Sequence, residues 1–246
     1  MTRVIDGDTF VVDSKKGDLV VRLREVNTPE RGECGAAAAS ELLKVLVRDG
    51  VSLEPDGYDR NGRILAHAFT RSGRHVGTEL ALAGLAHVAS YGTPDEHYAP
   101  LKRAEEVARR EHRGLYGSDL DCPSRVDAPF ALVALDANPP GDDLGPKGES
   151  VSLRGNPGTP LQGWTLKDTS ASHRYKFPPG AVVPEHGLVR VFTGPGQDGG
   201  GVFYWGMKGS AVWNNDGDTA FLIAPGGAIM SWLEFEPGAE QRSHSN

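Results

Sequence analysis

Asp6 and Asp8 stand two residues apart around Gly7, on one face of a strand or bracketing a tight turn, and Gly7 permits close backbone approach. Paired hard oxygen ligands of this kind suit Ca²⁺. The chain supplies its own control: Asp216-Gly217-Asp218-Thr219 repeats Asp6-Gly7-Asp8-Thr9 letter for letter. The second copy follows Asn214-Asn215 and precedes Ala220-Phe221-Leu222, which reads most simply as a turn between strands. The first copy keeps different company. Arg22, Asn27, Thr28, Pro29 and Glu30 follow it, and Asp59-Arg60-Asn61-Gly62-Arg63 ends a later loop. Two arginines, a glutamate and a carboxylate-lined cation site are a sufficient kit for phosphodiester hydrolysis. Cation and guanidiniums would stabilise charge growing on the phosphorane oxygens, and the glutamate would orient or deprotonate water. The plainer reading makes Arg22, Arg63 and Glu30 members of surface ion pairs.

Other chemistries have less support. His67 and His87 fall on strand patterns and His97 and His112 on a helix, with no pair at the i, i+4 spacing of a helical zinc site, so structural or solvated roles are expected. No Ser or Cys nucleophile stands in a recognisable setting. Lys102, Arg103, Arg109 and Arg110 alternate with Glu105, Glu106 and Glu111, which describes a solvated helix face or, at most, a rim for nucleic acid.

The elements that must position these residues follow from hydrophobic pattern. Residues 3–12 and 19–26 are β-branched runs around a turn-forming stretch and predict a hairpin. Ala39, Leu42, Leu43 and Leu46 share one face of a helix over 36–47, which Gly50 stops. Strands are expected at 51–54, 63–69 and 85–89, with a short helix over 76–83. Pro94 and Asp95 open a third helix whose buried stripe is Tyr98, Leu101, Ala104 and Ala108, closed by Gly114. Five short strands and three helices predict an α+β domain on a five-stranded OB-type Greek-key barrel. After the polar stretch 118–127, strand candidates recur at 130–135, 150–153, 163–167, 188–192, 212–213 and 220–223, predicting an all-β sandwich.

Charge excludes a non-specific nucleic-acid coat. Lys+Arg 26 against Asp+Glu 33 leaves a net charge of -7. Residues 1–125 are dense in both signs and 126–246 are sparse and more acidic. Gly 32 and Pro 17, together about a fifth of the chain, argue against an all-helical fold without reaching disorder-prone composition. No apolar run reaches the roughly 18 residues of a transmembrane span. The two cysteines, Cys34 and Cys122, are too few for a four-thiolate zinc site and lack redox spacing, so one disulfide or two free thiols remain. Cys34 lies just beyond the Glu30 turn and Cys122 just beyond the last helix, and a bridge between them is expected to clip that loop to the chain's exit. It would imply an oxidising compartment. The sequence shows no secretory signal, and Met1 begins almost inside a strand pattern, so a further N-terminal segment is expected.

VIDGDTFVV, VVRLREVNTPE, YDRNGRILAHAF and the helix 95–115 ending in GLYG occur in an order that resembles the staphylococcal nuclease (thermonuclease) family over residues 1–117. The resemblance implies a Ca²⁺-dependent endonuclease that cuts DNA and RNA to 3′-phosphates. It places Arg22 and Arg63 on the family's phosphate-binding arginines and Glu30 on its catalytic glutamate. Asp8 falls on a direct Ca²⁺ ligand, Thr28 on a backbone-carbonyl ligand, and Asp6 on a carboxylate acting through water. Asn27 departs from the family's usual aspartate, which costs the site one negative charge and predicts weaker Ca²⁺ binding. Asn61 stands where a tyrosine often lies beside the nucleotide, and Tyr91 is the remaining candidate for an aromatic face.

Residues 128–236 carry GESVSLRG, LQGWTLKD, YKFPPGAVV, VRVFTGPG and VWNNDGDTAFLIAPGG, a series that resembles the lamin-tail domain, an immunoglobulin-like sandwich. Trp164, Phe177, Tyr204, Trp205 and Trp213 are expected in its core or edges, and tethering or partner binding is the role the resemblance implies. Residues 237–246 form a C-terminal tail. The expected location is extracellular or at the cell envelope, with the cytoplasm as alternative. The competing functional class is a non-catalytic nucleic-acid or protein-binding module, because OB barrels also bind strands without cutting them.

Overall fold

The computed structural model describes residues 2–14, 17–59, 61–89, 94–117, 120, 129–170, 172–215, 217–235 and 243–245. Contacts divide the chain into two compact units, Met1–Cys122 and Pro123–Asn246.

The first unit runs β1 (Thr2–Val4), β2 (Thr9–Ser14), β3 (Gly17–Leu23), β4 (Val26–Asn27), α1 (Ala36–Val47), β5 (Val51–Tyr58), β6 (Ile64–Thr70), α2 (Val76–Leu82), β7 (His87–Val88) and α3 (Tyr98–Arg110), followed by a 3₁₀ turn, Gly114–Tyr116. Its main sheet has the order β1-β2-β3-β6-β5, with β3 and β6 parallel and the other neighbours antiparallel. Helix α1 follows its apolar spacing: Ala39, Leu43, Leu46 and Val47 are buried, with Leu42 at the margin. Phe10, Val21 and Leu23 from the sheet meet Leu43, Leu80 and Leu101 from the three helices in one core.

Several expectations for this unit need correction. The run 3–12 is not one strand, because the Ile5 and Asp6 N–H groups both bond the Thr9 carbonyl and fold β1 back on β2. The expected strand 85–89 shrinks to β7, which pairs only with β4 as a separate two-stranded ladder; Leu85 N–H is already spent on Leu80 of the α2 C-terminus. The five-stranded sheet is not closed into a barrel among the described residues: β1 spans three residues and pairs only with β2, and β5 pairs only with β6. Helix α3 starts at Tyr98, since Asp95 first makes a turn in which its side chain accepts from His97 N–H and its carbonyl from Tyr98 N–H.

The α3 stripe also contains a charge. Glu105 is buried beneath Arg109, Lys102 and the Tyr116 hydroxyl. Burial works against its ionised form, but Arg109 and Lys102 hold the carboxyl well below the ordinary range.

The second unit is two sheets, consistent with an immunoglobulin-like sandwich. One has the order β11 (Arg174–Lys176), β10 (Thr165–Lys167), β14 (Asp218–Ile223), β15 (Ile229–Phe235), β16 (Ser243–Ser245). The other has the order β13 (Val202–Tyr204), β12 (Leu188–Phe192), β9 (Ser150–Gly155), β8 (Phe130–Asp136). Leu132 N–H on β8 donates to Ser231 Oγ on β15, joining the sheets through a buried bond. Trp164, Phe177 and Trp213 are buried, while Tyr204 and Trp205 are half-buried. Residues 212–213 are not a strand: the N–H groups of Val212 and Trp213 go to the buried carboxylate of Glu149. Among the described residues, no helix is long and apolar enough to cross a membrane.

Candidate functional site

The hairpin turn between β1 and β2 carries Asp6, Gly7 and Asp8, so the two carboxylates bracket a turn rather than share a strand face. Gly7 is required by contact: a Cβ there would lie 2.5 Å from Thr28 Oγ1 and 2.7 Å from the Ala39 methyl. That approach puts Asp8 against β4. Asp8 Oδ2 accepts from Thr28 N–H at 2.8 Å and from the Thr28 hydroxyl at 3.0 Å. Asp8 Oδ1 accepts from the Thr9 hydroxyl at 3.0 Å and lies 3.2 Å from Arg22 Nε. Asp6 takes the Asp8 N–H, and burial followed by the Asp8 charge raises its carboxyl above the ordinary range.

Arg22 ties the set together from β3. One terminal nitrogen donates to the Leu23 and Val26 carbonyls at 2.8 and 2.7 Å, and the other to Asn27 Oδ1 at 2.9 Å. Both Arg22 and Asn27 are buried, which rules out a surface ion pair for Arg22. Asn27 is held in place by the ladder to β7, where it faces His87. Asp6, Asp8, Arg22, Asn27 and Thr28 are therefore one connected network.

Glu30 and Arg63 belong to neighbouring pieces. Glu30 is exposed two residues after Thr28, in a turn where its N–H donates to Glu33 Oε2 at 2.7 Å. Arg63 directly precedes β6, whose first residue, Ile64, pairs with Val21 beside Arg22. Asp59 takes the Arg63 N–H and Nε and the Asn61 N–H. Burial is the largest single influence and works against the ionised form, but these bonds and the Arg63 charge together hold the Asp59 carboxyl below the ordinary range. The exposed Asn61 backbone thus serves the Arg63 clamp. Tyr91, Arg60 and Cys122 lie outside the described residues, as do most of 118–127 and of 237–246. Cys34 is in a disulfide, and no described cysteine is free.

In the second copy of the tetrapeptide, Asp218 is the first residue of β14 and the stretch 212–213 before it is not a strand. Asp216 lies outside the described residues, and Asp218 spends its oxygens on Thr169, Thr219 and Asn214 around it. Gly217 adopts a φ of 138° and a Cβ there would meet only the Phe235 carbonyl at an ordinary 3.5 Å, so the identical motifs use glycine for different reasons, contact at Gly7 and conformation at Gly217.

The donor set at the first turn fits a hard divalent cation. Asp6, Asp8, the Asn27 amide and the Thr28 carbonyl offer oxygen ligands, and the bond from Asp8 N–H to Asp6 Oδ1 keeps the two carboxylates at one turn. Sequence spacing alone did not reveal a second constellation. His67 on β6, His75 at the α2 N-cap and His97 before α3 pack together, with ring centroids 4.3 to 5.2 Å apart and His75 stacked on His97, beside Asp95 and Glu25. They are separated in sequence and meet only through tertiary folding; the alternation of apolar and His residues along β6 was the available signal. His87 instead bonds the Tyr116 hydroxyl at 2.7 Å, and His112 is exposed.

A family model described as a staphylococcal nuclease homologue matches residues 20–118, and one described as a lamin tail domain matches residues 147–236. The chain is 32% identical over 123 residues to the thermonuclease of Staphylococcus intermedius, covering 46% of this chain and 73% of that protein. An uncharacterized endonuclease of Escherichia coli is 33% identical over 123 residues, covering 49% and 77%. The micrococcal nuclease of Shigella flexneri is 27% identical over 127 residues, covering 47% and 71%. These relatives support a nuclease function and a nucleic-acid substrate.

Proposed function

The chain belongs to the staphylococcal nuclease family, with a lamin tail domain behind the nuclease part, and on that premise we propose a Ca²⁺-dependent nuclease that hydrolyses DNA, RNA or both to 3′-phosphate products. The observation that carries this reading is the single network in which Arg22 bonds both Asp8 and Asn27. It joins the oxygen donors to a guanidinium of the phosphate-binding type.

Asp8, Asn27 and the Thr28 carbonyl would hold Ca²⁺, with Asp6 acting through water. The ion, when bound, supplies positive charge against the phosphate oxygens. Arg22 keeps Asp8 and Asn27 in register and adds its own charge at the phosphate. Arg63, gripped by Asp59 at its Nε edge, presents its terminal nitrogens to the same group. Glu30 accepts a proton from the attacking water. The water oxygen bonds to phosphorus, the P–O5′ bond breaks, the leaving oxygen takes up a proton, and phosphate stays on the 3′ side.

We read the order β1-β2-β3-β6-β5, with its parallel β3–β6 pair, as a partly open OB-type barrel. We assign residues 1–117 to the catalytic domain, 118–127 to a linker and 128–236 to a tether or partner-binding domain, on family analogy. The disulfide at Cys34 favours an extracellular or envelope location. If a chain lacking 126–246 kept both activity and localisation in its native host, the tethering role would be wrong.

End chemistry tests the reaction. Strands cut by the full chain in Ca²⁺ should fail to prime a polymerase until a phosphatase removes the 3′-phosphate. Products with a free 3′-hydroxyl contradict the proposed bond cleavage, and binding without cleavage favours the non-catalytic module.

A further inference from the structure

We propose that Glu25, His67 and Asp95 form a second cation site, separate from the Asp8 turn, that takes a transition-metal dication of the Zn²⁺ class. The three side chains each offer a ligand atom, and these atoms lie within 4.8 Å of one another. Ligand atoms around a tetrahedral zinc are roughly 3.3 Å apart at the usual bond lengths, so closure needs only small side-chain movements. His67 Nε2 and Asp95 Oδ2 are already 2.8 Å apart.

Glu25 gives an independent sign that points to a cation. It is 1% exposed, yet its Oε2 has no hydrogen-bond partner, while Oε1 accepts from Asp95 N–H at 3.4 Å. An unpaired buried carboxylate oxygen is costly unless a cation or donor reaches it. Glu25 lies in the turn between β3 and β4 and is one of two non-glycine residues among the described ones with positive φ, at 59°, a conformation uncommon for glutamate. Arg24 is the cation in contact, 3.3 Å from Asp95 and 3.9 Å from Glu25, but it also pairs with Asp56. One guanidinium serves three carboxylates, and Glu54 and Glu96 add to the negative lining of the same cleft. That cleft has a volume of about 530 Å³ and gives access to His67 and Asp95.

The rings behind the site form an outer shell suited to a metal. His67 Nδ1 lies 3.0 Å from His75 Nε2, and His75 Nδ1 lies 2.8 Å from the Thr78 hydroxyl. With both protons on Nδ1, His75 donates to Thr78, His67 donates to His75, and the His67 Nε2 lone pair faces Asp95. A metal-bound histidine has this arrangement, its second nitrogen donating to a fixed partner. In the opposite tautomers His67 Nε2–H donates to Asp95 Oδ2, His75 Nε2–H donates to His67 Nδ1, and His75 Nδ1 caps α2 by accepting Thr78 N–H. Cation binding therefore exchanges one neutral tautomer chain for the other with no net loss of a proton. An imidazole with two carboxylates favours Zn²⁺ over Ca²⁺, the reverse of the all-oxygen Asp8 turn.

The test uses the untagged full chain, stripped with chelator and titrated with Zn²⁺ by calorimetry in excess Ca²⁺. One Zn²⁺ per chain should bind; Asp8→Asn should keep that binding, and Glu25→Gln and His67→Gln should lose it. Absence of Zn²⁺ binding, retention in the two cluster variants, or loss in Asp8→Asn each overturns the proposal. Should the buried variants fail to fold, Co²⁺ added to the parent chain decides the question. Intense visible bands of a four- or five-coordinate ion are expected, and only the faint spectrum of hydrated Co²⁺ contradicts the site.

Discussion

Arg22 donates to Asn27 Oδ1 at 2.9 Å while its Nε lies 3.2 Å from Asp8 Oδ1, so one guanidinium fixes the position of the amide relative to the carboxylate. Asn27 therefore sits against a positive charge in the same network as Asp8. An amide oxygen needs no counter-charge, whereas a carboxylate there would find one in place.

Asn27→Asp should therefore be tolerated by the fold and should tighten Ca²⁺. We expect the free Ca²⁺ giving half-maximal cleavage to fall by roughly tenfold, in line with affinities tuned by ligand charge. Activity measured across buffered Ca²⁺ checks this, and an unchanged half-saturation point would sink the idea.

Glu30 is exposed, so its replacement should spare the fold. Glu30→Gln should lower kcat by about 10²–10⁴, the range for loss of a general base, with an unchanged melting temperature. Steady-state kinetics and a thermal melt separate the two effects. A kcat within twofold of the parent removes Glu30 from the chemistry.

Gly7→Ala inserts a methyl into space held by Thr28 and Ala39. Destabilisation of the nuclease domain by about 1–3 kcal/mol is expected from overpacking, together with loss of activity as Asp8 shifts. Urea unfolding followed by far-UV circular dichroism measures the first, and a variant as stable and active as the parent contradicts the packed turn.

The lamin tail domain should weaken as pH rises. Burial, then the neighbouring Asp168 charge, pushes Asp218 up to about 7, against an ordinary value of 3.8. The folded domain keeps a proton that the unfolded chain releases, so this contribution is complete below about 4 and lost as pH rises through 7. His173, raised by its bond to Asp168, and Glu149, raised by burial, act in the same direction. All four tryptophans, Trp164, Trp205, Trp213 and Trp232, lie in this domain, so tryptophan fluorescence reports its melting alone. A melting temperature several degrees lower at pH 8 than at pH 5 is expected, since each kcal/mol moves a domain of this size by roughly 4–8 °C. A flat or rising profile contradicts it.

What could be read in advance depended on how local its cause was. Helix α1 was legible because Ala39, Leu43 and Leu46 repeat at helical spacing, and 188–192 because an apolar run is bounded by turn residues. Strand β15 was not anticipated: Ile229–Leu233 is buried on both faces and shows no period of two. The Asp6–Asp8 pair was visible, but two backbone bonds to Thr9 decide between strand and turn. The burial of Arg22 and the meeting of His67 with His75, His97 and Asp95 come from long-range pairing that no short spacing encodes.

The proposed nuclease requires Ca²⁺ for cleavage. Plasmid DNA and RNA incubated with the full chain should be degraded in Ca²⁺, left intact with a chelator, and degraded again once Ca²⁺ is restored in excess. No cleavage of either nucleic acid in Ca²⁺, or cleavage that the chelator leaves unchanged, would contradict the account.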